Sequence, residues 1–206
     1  MINARIILAS ASPRRRQILE QAGIECEIIE SGADEDIDGS AFDVVRELAR
    51  RKAAAVLEKI HGKKISADND EFIIIAADTL VELDGEVLSK PVDGVDAFAM
   101  LRKLSSERHT VYTGVAIFTS GGLASDLDSV GRVGEVVFVD AADVFFRELS
   151  DDEIRDYIAT GEPMDKAGAY GIQERGATLV RRIEGDFYTV MGLPISRVWE
   201  ELQKIK

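Results

Sequence analysis

The sequence feature that most constrains the fold is the segment Phe72–Ala77, which reads FIIIAA and is the most apolar stretch of the chain. A short, continuously apolar run predicts a central strand that is buried on both faces, and such strands lie in sheets whose faces carry helices. The helical spacing of apolar residues from Ser40 to Ile60 predicts one of these helices. We therefore expect an α/β fold with a mixed, twisted sheet flanked by helices.

Length and composition favour one domain and exclude several classes of protein. The chain has 206 residues, 46% of them hydrophobic, with no visible repeat or linker, so we expect a single domain over residues 1–206. A net charge of −13 argues against a nucleic-acid or anionic membrane surface, because such surfaces need a basic stripe. No stretch approaches the roughly 20 apolar residues of a membrane span, and no signal peptide is visible. The single cysteine, Cys26, indicates a reducing compartment, so we expect a soluble, cytoplasmic protein.

An acidic residue follows the central strand. Asp78 and Thr79 come directly after Phe72–Ala77, and Leu80–Leu83 continues with a strand pattern, which argues against a helix cap at Asp78. In open α/β sheets, ligands gather beyond the carboxyl ends of the strands. Asp78 is therefore a candidate catalytic or metal-binding group.

A basic helix start follows the first predicted strand, Arg5–Ala9. Ser12 is expected to cap the helix and Pro13 to occupy its first position, with Ser10 just ahead of them. The cations of Arg14–Arg16 oppose the helix dipole, so helix stability alone does not explain them. The residues allow either a capped helix with a solvated basic face or an anion site, and we favour an anion site for phosphates.

Two lysines are placed where they could reach the same end of the sheet. Lys52 lies four residues from both Leu48 and Val56, on the apolar stripe of its predicted helix. It either extends past the edge of the core or reaches an anion, and the residues alone leave both open. The hairpin turn Asp84–Gly85 is predicted to bring Lys90 back toward the end of the sheet.

Two further segments carry candidate site residues. The acidic run Asp34–Asp38 is predicted to be mainly a solvated loop, from which one carboxylate could reach a site. In Asp165–Gln173, glycines alternate with small residues. Within a strand, which we expect here, this pattern suggests close approach of the backbone to a ligand or a neighbouring element. The polar side chains that bracket the segment include Lys166 and Gln173.

Seven segments, taken together and in order, resemble the Maf family of nucleoside triphosphate pyrophosphatases over essentially the whole chain. They are LASASPRRR near the start, ELARRKA around Lys52, AADTLV at Asp78, LSKP at Lys90, HTVYTGVA from His109, DKAGAYGIQ through Gln173 and MGLPI from Met191. The resemblance implies a fold similar to that of inosine-triphosphate pyrophosphatases, the Maf/Ham1 fold, and commonly a homodimer. It also implies cleavage of a nucleoside triphosphate to monophosphate and pyrophosphate with a divalent cation, Mg²⁺ or Mn²⁺.

The resemblance implies catalytic roles for individual residues. Asp78 matches the aspartate treated as the proton acceptor of the family, and Lys52 and Lys90 match its functional lysines. An acidic loop residue of the relatives matches Glu35, which would share a metal ion with Asp78. The neighbours of Glu35 within Asp34–Asp38 are also acidic, so which of Asp34, Glu35 and Asp36 reaches the site stays open at this point.

The candidate substrate-binding residues are Ser10, Ser12, Arg14, Arg15, Thr79, Lys166 and Gln173. In the family branch that acts on dTTP and UTP, the positions that match Arg14, Thr79 and Gln173 hold the same residue types as this sequence. In the branch that acts on 7-methyl-GTP, the matching positions hold tryptophan and acidic residues. The resemblance therefore implies hydrolysis of dTTP and UTP, with removal of modified pyrimidine nucleotides as a further role. The alternative is a nucleotide-binding regulator of cell division with little turnover.

Overall fold

The computed structural model describes residues 4–62, 71–120 and 134–205. Its strands are β1 (Arg5–Leu8), β2 (Glu27–Ile28), β3 (Phe72–Leu83), β4 (Glu86–Leu88), β5 (Arg108–Thr119), β6 (Gly134–Phe146) and β7 (Val180–Glu184). Its α-helices are α1 (Pro13–Gln21), α2 (Ala41–Gly62), α3 (Gly94–Leu104), α4 (Asp151–Ile158), α5 (Phe187–Met191) and α6 (Ile195–Lys204). Short 3₁₀ helices cover Glu162–Asp165, Ala167–Ala169 and Glu174–Thr178.

The strands form one mixed sheet in the order β2-β1-β3-β5-β6-β7, and β4 pairs with β3 outside this path. β1 pairs in parallel with β2 and β3, whereas the β3–β4 and β6–β7 pairs are antiparallel. The predicted α/β class, a mixed sheet flanked by helices, is confirmed. In the described part of the chain, no helix is both long and apolar enough to cross a membrane.

Contacts divide the chain into two compact units. Unit 1 comprises Met1–Asp78, Gly114–Val139 and Gly192–Lys206, and unit 2 comprises Thr79–Thr113 and Asp140–Met191. Strands β3, β5 and β6 therefore each supply residues to both units. That residues 1–206 form a single domain stays a prediction.

The core of unit 1 packs helix α2 against the sheet. Ala49 and Ala53 of the helix share a buried cluster with Ile7 of β1 and Ile74 of β3. These small helix residues allow a close approach, and the helix backbone also lies close to Gly114 of β5. A Cβ at Gly114 would lie 2.2 Å from the backbone oxygen of Val45, so no side chain fits there. The predicted buried strand and amphipathic helix are confirmed.

The core of unit 2 is built from β4, α3 and α4, together with the second halves of β3 and β6 and the first half of β5. Its larger fully buried side chains include Leu101, Leu104 and Ile154. Ser150 and Glu153 form a capping box at the start of α4, in which the Ser150 hydroxyl accepts from the Glu153 backbone and the Glu153 carboxylate accepts in return. Such caps stabilise a helix start by about 1 kcal/mol.

The position of Asp78 corrects one prediction, because β3 continues through it to Leu83. The β1 partner ends opposite Ile75, where the backbone N–H of Ala9 donates to Ile75 O at 2.8 Å. Asp78 therefore lies within a strand, beyond the end of the neighbouring strand β1. The polar residue does not break β3 because its side chain is paired and β5 lies along the other edge of the strand.

The segment Asp165–Gln173 corrects another prediction, because it forms short 3₁₀ turns instead of a strand. Gly168 has a φ of +67°, a left-handed conformation that favours glycine, and its N–H donates to Ser89 O at 3.1 Å. A Cβ at Gly168 would also lie 3.0 Å from the side chain of Val81. The glycine pattern thus reflects tight turns and close packing, as well as the close backbone approach that the sequence indicated.

Candidate active site

The centre of the candidate site in unit 1 is a buried ion pair between helix α2 and strand β3. Lys52 Nζ lies 2.6 Å from Asp78 Oδ1, and each residue is 8% exposed. Lys52 lies on the buried face of α2 with Leu48 and Val56. An unpaired ammonium in such surroundings would cost several kcal/mol, which the carboxylate offsets. Of the two alternatives left open by the sequence, the structure shows that Lys52 reaches an anion.

A second carboxylate shares the same ammonium. Glu35 Oε1 lies 2.8 Å from Lys52 Nζ, and the Glu35 side chain is 57% exposed. Asp34 Oδ1 instead accepts from the Asp36 N–H at 3.0 Å within the loop, and the backbone oxygen of Asp36 accepts from Arg51 of helix α2. Of these three acids, Glu35 is therefore the one that the structure brings to Lys52.

Arg15 joins this cluster from helix α1. Its guanidinium donates to Ser10 Oγ at 3.1 Å and to Gly192 O at 2.8 Å. Burial lowers the pKa of Arg15, and the negative charges of Asp78 and Glu35 oppose that shift while Arg14 adds to it. Arg15 is thus held within electrostatic reach of both carboxylates.

The turn before α1 is organised by Ser10. Ser10 is 8% exposed, and its hydroxyl oxygen accepts from the backbone N–H of Ser12 at 3.2 Å as well as from Arg15. Ser12 occupies the N-cap position, but its side chain makes no cap hydrogen bond, so the predicted capping role is wrong. Pro13, with its fixed φ, begins the helix instead.

The carboxylates of this cluster are suited to a hard divalent cation. Asp78 and Glu35 supply the oxygen ligands that Mg²⁺ and Mn²⁺ prefer. Among the residues that the structure describes, no group of three or more His, Cys, Asp or Glu side chains could hold a metal ion. An ion held by these two carboxylates would complete its shell with water or with the phosphates of a substrate, as Mg²⁺ commonly does.

The candidate residue Thr79 belongs to a chain of hydroxyl groups in unit 2. The Thr113 hydroxyl donates to Thr189 O at 2.8 Å, and Thr79 Oγ1 lies 2.9 Å from Thr113 Oγ1. Because a hydroxyl carries one proton, Thr79 must be the donor in its bond to Thr113. Thr113 and Thr189 are fully buried, so this chain fixes the orientation of the Thr79 side chain.

The other candidate residues of unit 2 lie on connected turns. Lys90 is exposed two residues after β4, and its neighbour Ser89 accepts the N–H of Gly168. Lys166 Nζ donates to Asp165 Oδ1 at 2.7 Å and to the backbone oxygen of Glu162. Gln173 is half-buried and immediately precedes the 3₁₀ helix Glu174–Thr178. Within unit 2, the structure thus places the turns of Lys90 and Lys166 side by side.

Sequence reasoning missed several residues that support the candidate site. Thr113 lies in the quoted segment HTVYTGVA and Gly192 in MGLPI, so the resemblance marked their neighbourhoods without giving them a role. Glu162 and Tyr157 accept hydrogen bonds from the backbone around Gln173. Tyr157 follows a helical core pattern and Glu162 stands in a turn, so neither carries a recognisable signal.

Comparisons with known proteins agree with the resemblance. The curated dTTP/UTP pyrophosphatase of Caldicellulosiruptor bescii is 45% identical over 98% of this chain and 94% of its own length. The dTTP/UTP pyrophosphatase of Bacillus thuringiensis is 43% identical over 97% of this chain and 95% of its own. The solved structure of the Staphylococcus aureus Ham1 protein covers 69% of this chain and 71% of its own, at 16% identity and a TM-score of 0.38, a likeness too small to carry an argument. The family model described as Maf-like protein matches residues 5–205, and the chain therefore belongs to the Maf-like protein family.

Proposed function

We propose that this protein hydrolyses nucleoside triphosphates to nucleoside monophosphates and pyrophosphate, with dTTP and UTP as its main substrates. The observation that carries the proposal is the buried Lys52 ammonium, which lies 2.6 Å from Asp78 and 2.8 Å from Glu35. A protein that only binds a polyphosphate needs cations, but it does not need a buried acid beside them. The activity named for the two bacterial relatives supports the same reaction.

In the proposed reaction, water attacks the α-phosphorus and the bond from that phosphorus to the bridging oxygen breaks. Pyrophosphate leaves with the bridging oxygen, and the proton of the water passes to a base and then to solvent. In this proposal Asp78 orients the water and accepts this proton. Lys52 and Arg15, with Lys90, would neutralise a triphosphate that carries roughly four negative charges.

We also propose Mg²⁺ or Mn²⁺ as the cofactor, held by Asp78 and Glu35. When bound, such an ion supplies positive charge that stabilises the leaving pyrophosphate. The support is the donor set itself, two carboxylates drawn together on one ammonium. Lys52 would keep this pair of carboxylates in place by balancing their charge.

The choice of base is proposed to depend on Arg14, Thr79 and Gln173. A neutral pyrimidine such as uracil presents carbonyl acceptors and an imide donor, and the amide of Gln173 can meet both kinds of group. A 7-methylguanine carries positive charge and would gain from an aromatic face and carboxylates, which these three residues do not supply. Modified pyrimidine nucleotides would be accepted on the same basis.

The resemblance also supports a homodimer, and the single cysteine supports a reducing, cytoplasmic location. The competing function, a nucleotide-binding regulator of division, predicts binding with little turnover. It is less favoured because it gives the buried Asp78 only the structural role of balancing the Lys52 charge.

The test is a panel of dTTP, UTP, CTP, GTP and 7-methyl-GTP, incubated with the purified protein with Mg²⁺, with Mn²⁺, or with a chelator. Products are identified by ion-exchange chromatography. We expect nucleoside monophosphate and pyrophosphate, fastest from dTTP and UTP, and no turnover with the chelator. Release of orthophosphate would indicate a phosphatase, and tight binding without turnover would indicate the regulator. A higher kcat/KM for 7-methyl-GTP would overturn the substrate assignment alone.

A further inference from the structure

The carboxylate of Glu162, in the turn after α4, is a hydrogen-bonding centre in unit 2. Its Oε1 accepts from the Tyr157 hydroxyl at 2.9 Å and from the Gly176 N–H at 3.1 Å. Its Oε2 accepts from the Arg175 N–H at 3.2 Å. Both carboxylate oxygens are therefore committed to the protein, and two of the three donors are backbone groups that directly follow Gln173 and Glu174.

Tyr157 extends this centre to the other side of Gln173. Its hydroxyl oxygen accepts the Gly171 N–H at 3.1 Å while its proton goes to Glu162. Tyr157 is 5% exposed, and burial raises the pKa of its hydroxyl, which keeps the proton on the oxygen at neutral pH. The Glu162–Tyr157 pair thus holds the backbone of the chain at Gly171 and again at Arg175 and Gly176.

The same stretch is packed too closely for a side chain at Gly176, and a side chain at Gly171 would have to displace the end of Lys166. A Cβ at Gly176 would lie 2.0 Å from Gly171 O and 2.7 Å from the Tyr157 hydroxyl oxygen. A Cβ at Gly171 would lie 2.8 Å from Cε of Lys166. Glu174, a residue other than glycine, is held at a φ of +56°, a strained conformation that persists only where the surroundings fix it. The loop is therefore closed tightly around the Glu162–Tyr157 pair.

The segment that this pair holds, from Gly171 to Gly176, carries the candidate base-binding residue Gln173, and the candidate substrate-binding residue Lys166 lies five residues before it. Lys166 Nζ donates to the backbone oxygen of Glu162, and Gln173 lies between the held backbone groups of Gly171 and Arg175. We propose that Glu162 and Tyr157 are positioning residues that fix the Gln173 side chain for recognition of the base, without touching the substrate. This inference rests on the proposed function, because it assigns Gln173 to the base.

The test compares Tyr157→Phe and Glu162→Gln with the matched control Tyr188→Phe, which deletes the same hydroxyl outside this network. Glu162→Gln keeps the shape but replaces one acceptor oxygen with an amide donor, which cannot accept from a backbone N–H. The first measurement is amide hydrogen exchange, which needs no activity. We expect exchange at Gly171 to become about tenfold faster in Tyr157→Phe, and exchange at Arg175 and Gly176 to become faster in Glu162→Gln, with no change in Tyr188→Phe.

The second measurement is kcat and KM for UTP and CTP in Tyr157→Phe, Gln173→Ala and the double variant. We expect Tyr157→Phe to lower kcat/KM for UTP about tenfold and to reduce the preference for UTP over CTP. In the Gln173→Ala background the same substitution should change kcat/KM less than about twofold, because Tyr157 acts through Gln173. Fully additive losses, an unchanged base preference, or unchanged exchange would each overturn the proposal. If the unmodified protein does not hydrolyse UTP, the proposed function fails, and the exchange data still decide whether the pair holds the loop.

Discussion

Lys52 of unit 1 and His109 of unit 2 are both buried ionisable side chains. Burial of a charge is costly, and Lys52 offsets this cost by pairing with carboxylates, whereas His109 avoids it by staying neutral. Lys52 is 8% exposed and stays paired with Asp78 and Glu35. His109 is 1% exposed, and its Nε2 lies 2.8 Å from the Tyr170 hydroxyl. Its Nδ1 has no hydrogen-bond partner among the residues that the structure describes.

The surroundings of His109 are aromatic. Its ring meets those of Phe146 and Tyr170 edge to face, with centroids 5.0 and 5.3 Å apart. Burial lowers the pKa of His109 to about 4, and the charge of Asp143 opposes that shift only in part. His109 is therefore a neutral core side chain at physiological pH. The comparison teaches that burial of a titratable group does not itself mark chemistry, and that a buried group hydrogen-bonded to an opposite charge is the better candidate for a functional role.

The largest expected effect comes from removing the charge of Asp78 while keeping its shape. Asp78→Asn should lower kcat for dTTP by roughly 10²–10⁴-fold, because the proposed proton acceptor is lost. Steady-state kinetics with pyrophosphate detection measures the loss, and circular dichroism establishes that the variant is folded. A folded variant that keeps most of its turnover would show that the buried pair is structural, as the histidine is.

A smaller effect, on stability, is expected when Lys52 loses its charge. Lys52→Met leaves the Asp78 carboxylate buried without its main partner, which should lower the free energy of unfolding by about 3–5 kcal/mol. The double variant Lys52→Met/Asp78→Asn should recover part of this loss, because no buried charge remains there. Urea denaturation of the unmodified protein, the two single variants and the double variant measures the coupling free energy between the two side chains. Simple addition of the two single losses would mean that the two side chains do not stabilise each other.

The smallest effect is the pH dependence contributed by His109. Its folded pKa of about 4 lies below the ordinary value of 6.5, so the unfolded chain takes up a proton at higher pH than the folded chain. This contribution to stability is fully present above about pH 6.5 and is lost as the pH falls toward 4. His109→Phe keeps a ring in the aromatic cluster but removes the titration. Between pH 7 and pH 5, its free energy of unfolding should fall by about 2 kcal/mol less than that of the unmodified protein.

Urea denaturation at the two pH values measures this difference, and carboxylates that titrate in both proteins cancel. The corresponding substitution at the exposed His61 serves as the control. Equal pH dependence in the two proteins would show that His109 takes up its proton in the folded state as readily as in the unfolded chain.

The elements predictable from the sequence are those whose apolar residues form either a continuous run or a clear helical period. Strand β3 and helix α2 were predictable for this reason, and so was the placement of Lys52 on the buried stripe. The pairing of Lys52 with Asp78 was not predictable from periodicity. The two residues are 26 positions apart and are brought together only by the packing of α2 on the sheet. The assignment of Asp78 to the candidate site came from its place after an apolar run, although the strand continues beyond it.

The turns were predicted less well than the strands and helices. In Asp165–Gln173 the alternation of glycine with small residues is compatible with a strand, and the left-handed φ of Gly168 leaves no mark in that pattern. The Ser12 side chain was expected to cap α1, but Pro13 starts the helix and Ser10 takes the hydrogen bonds of the turn. His109 has no sequence signal for its burial, since a histidine in a strand fits either face. These features depend on tertiary contacts that one sequence does not encode locally.

Because Gly114 has no side chain, helix α2 can pack directly against the backbone of strand β5. Any Cβ there would lie 2.2 Å from Val45 O, so even an alanine would push α2 away from the sheet by about an ångström. Lys52 lies on that helix and Asp78 on the sheet, and their hydrogen bond of 2.6 Å has little slack to absorb such a shift. The ion pair between Lys52 and Asp78 thus depends on the absence of a methyl group at Gly114, a residue that contacts neither of them in the hydrogen bonds described.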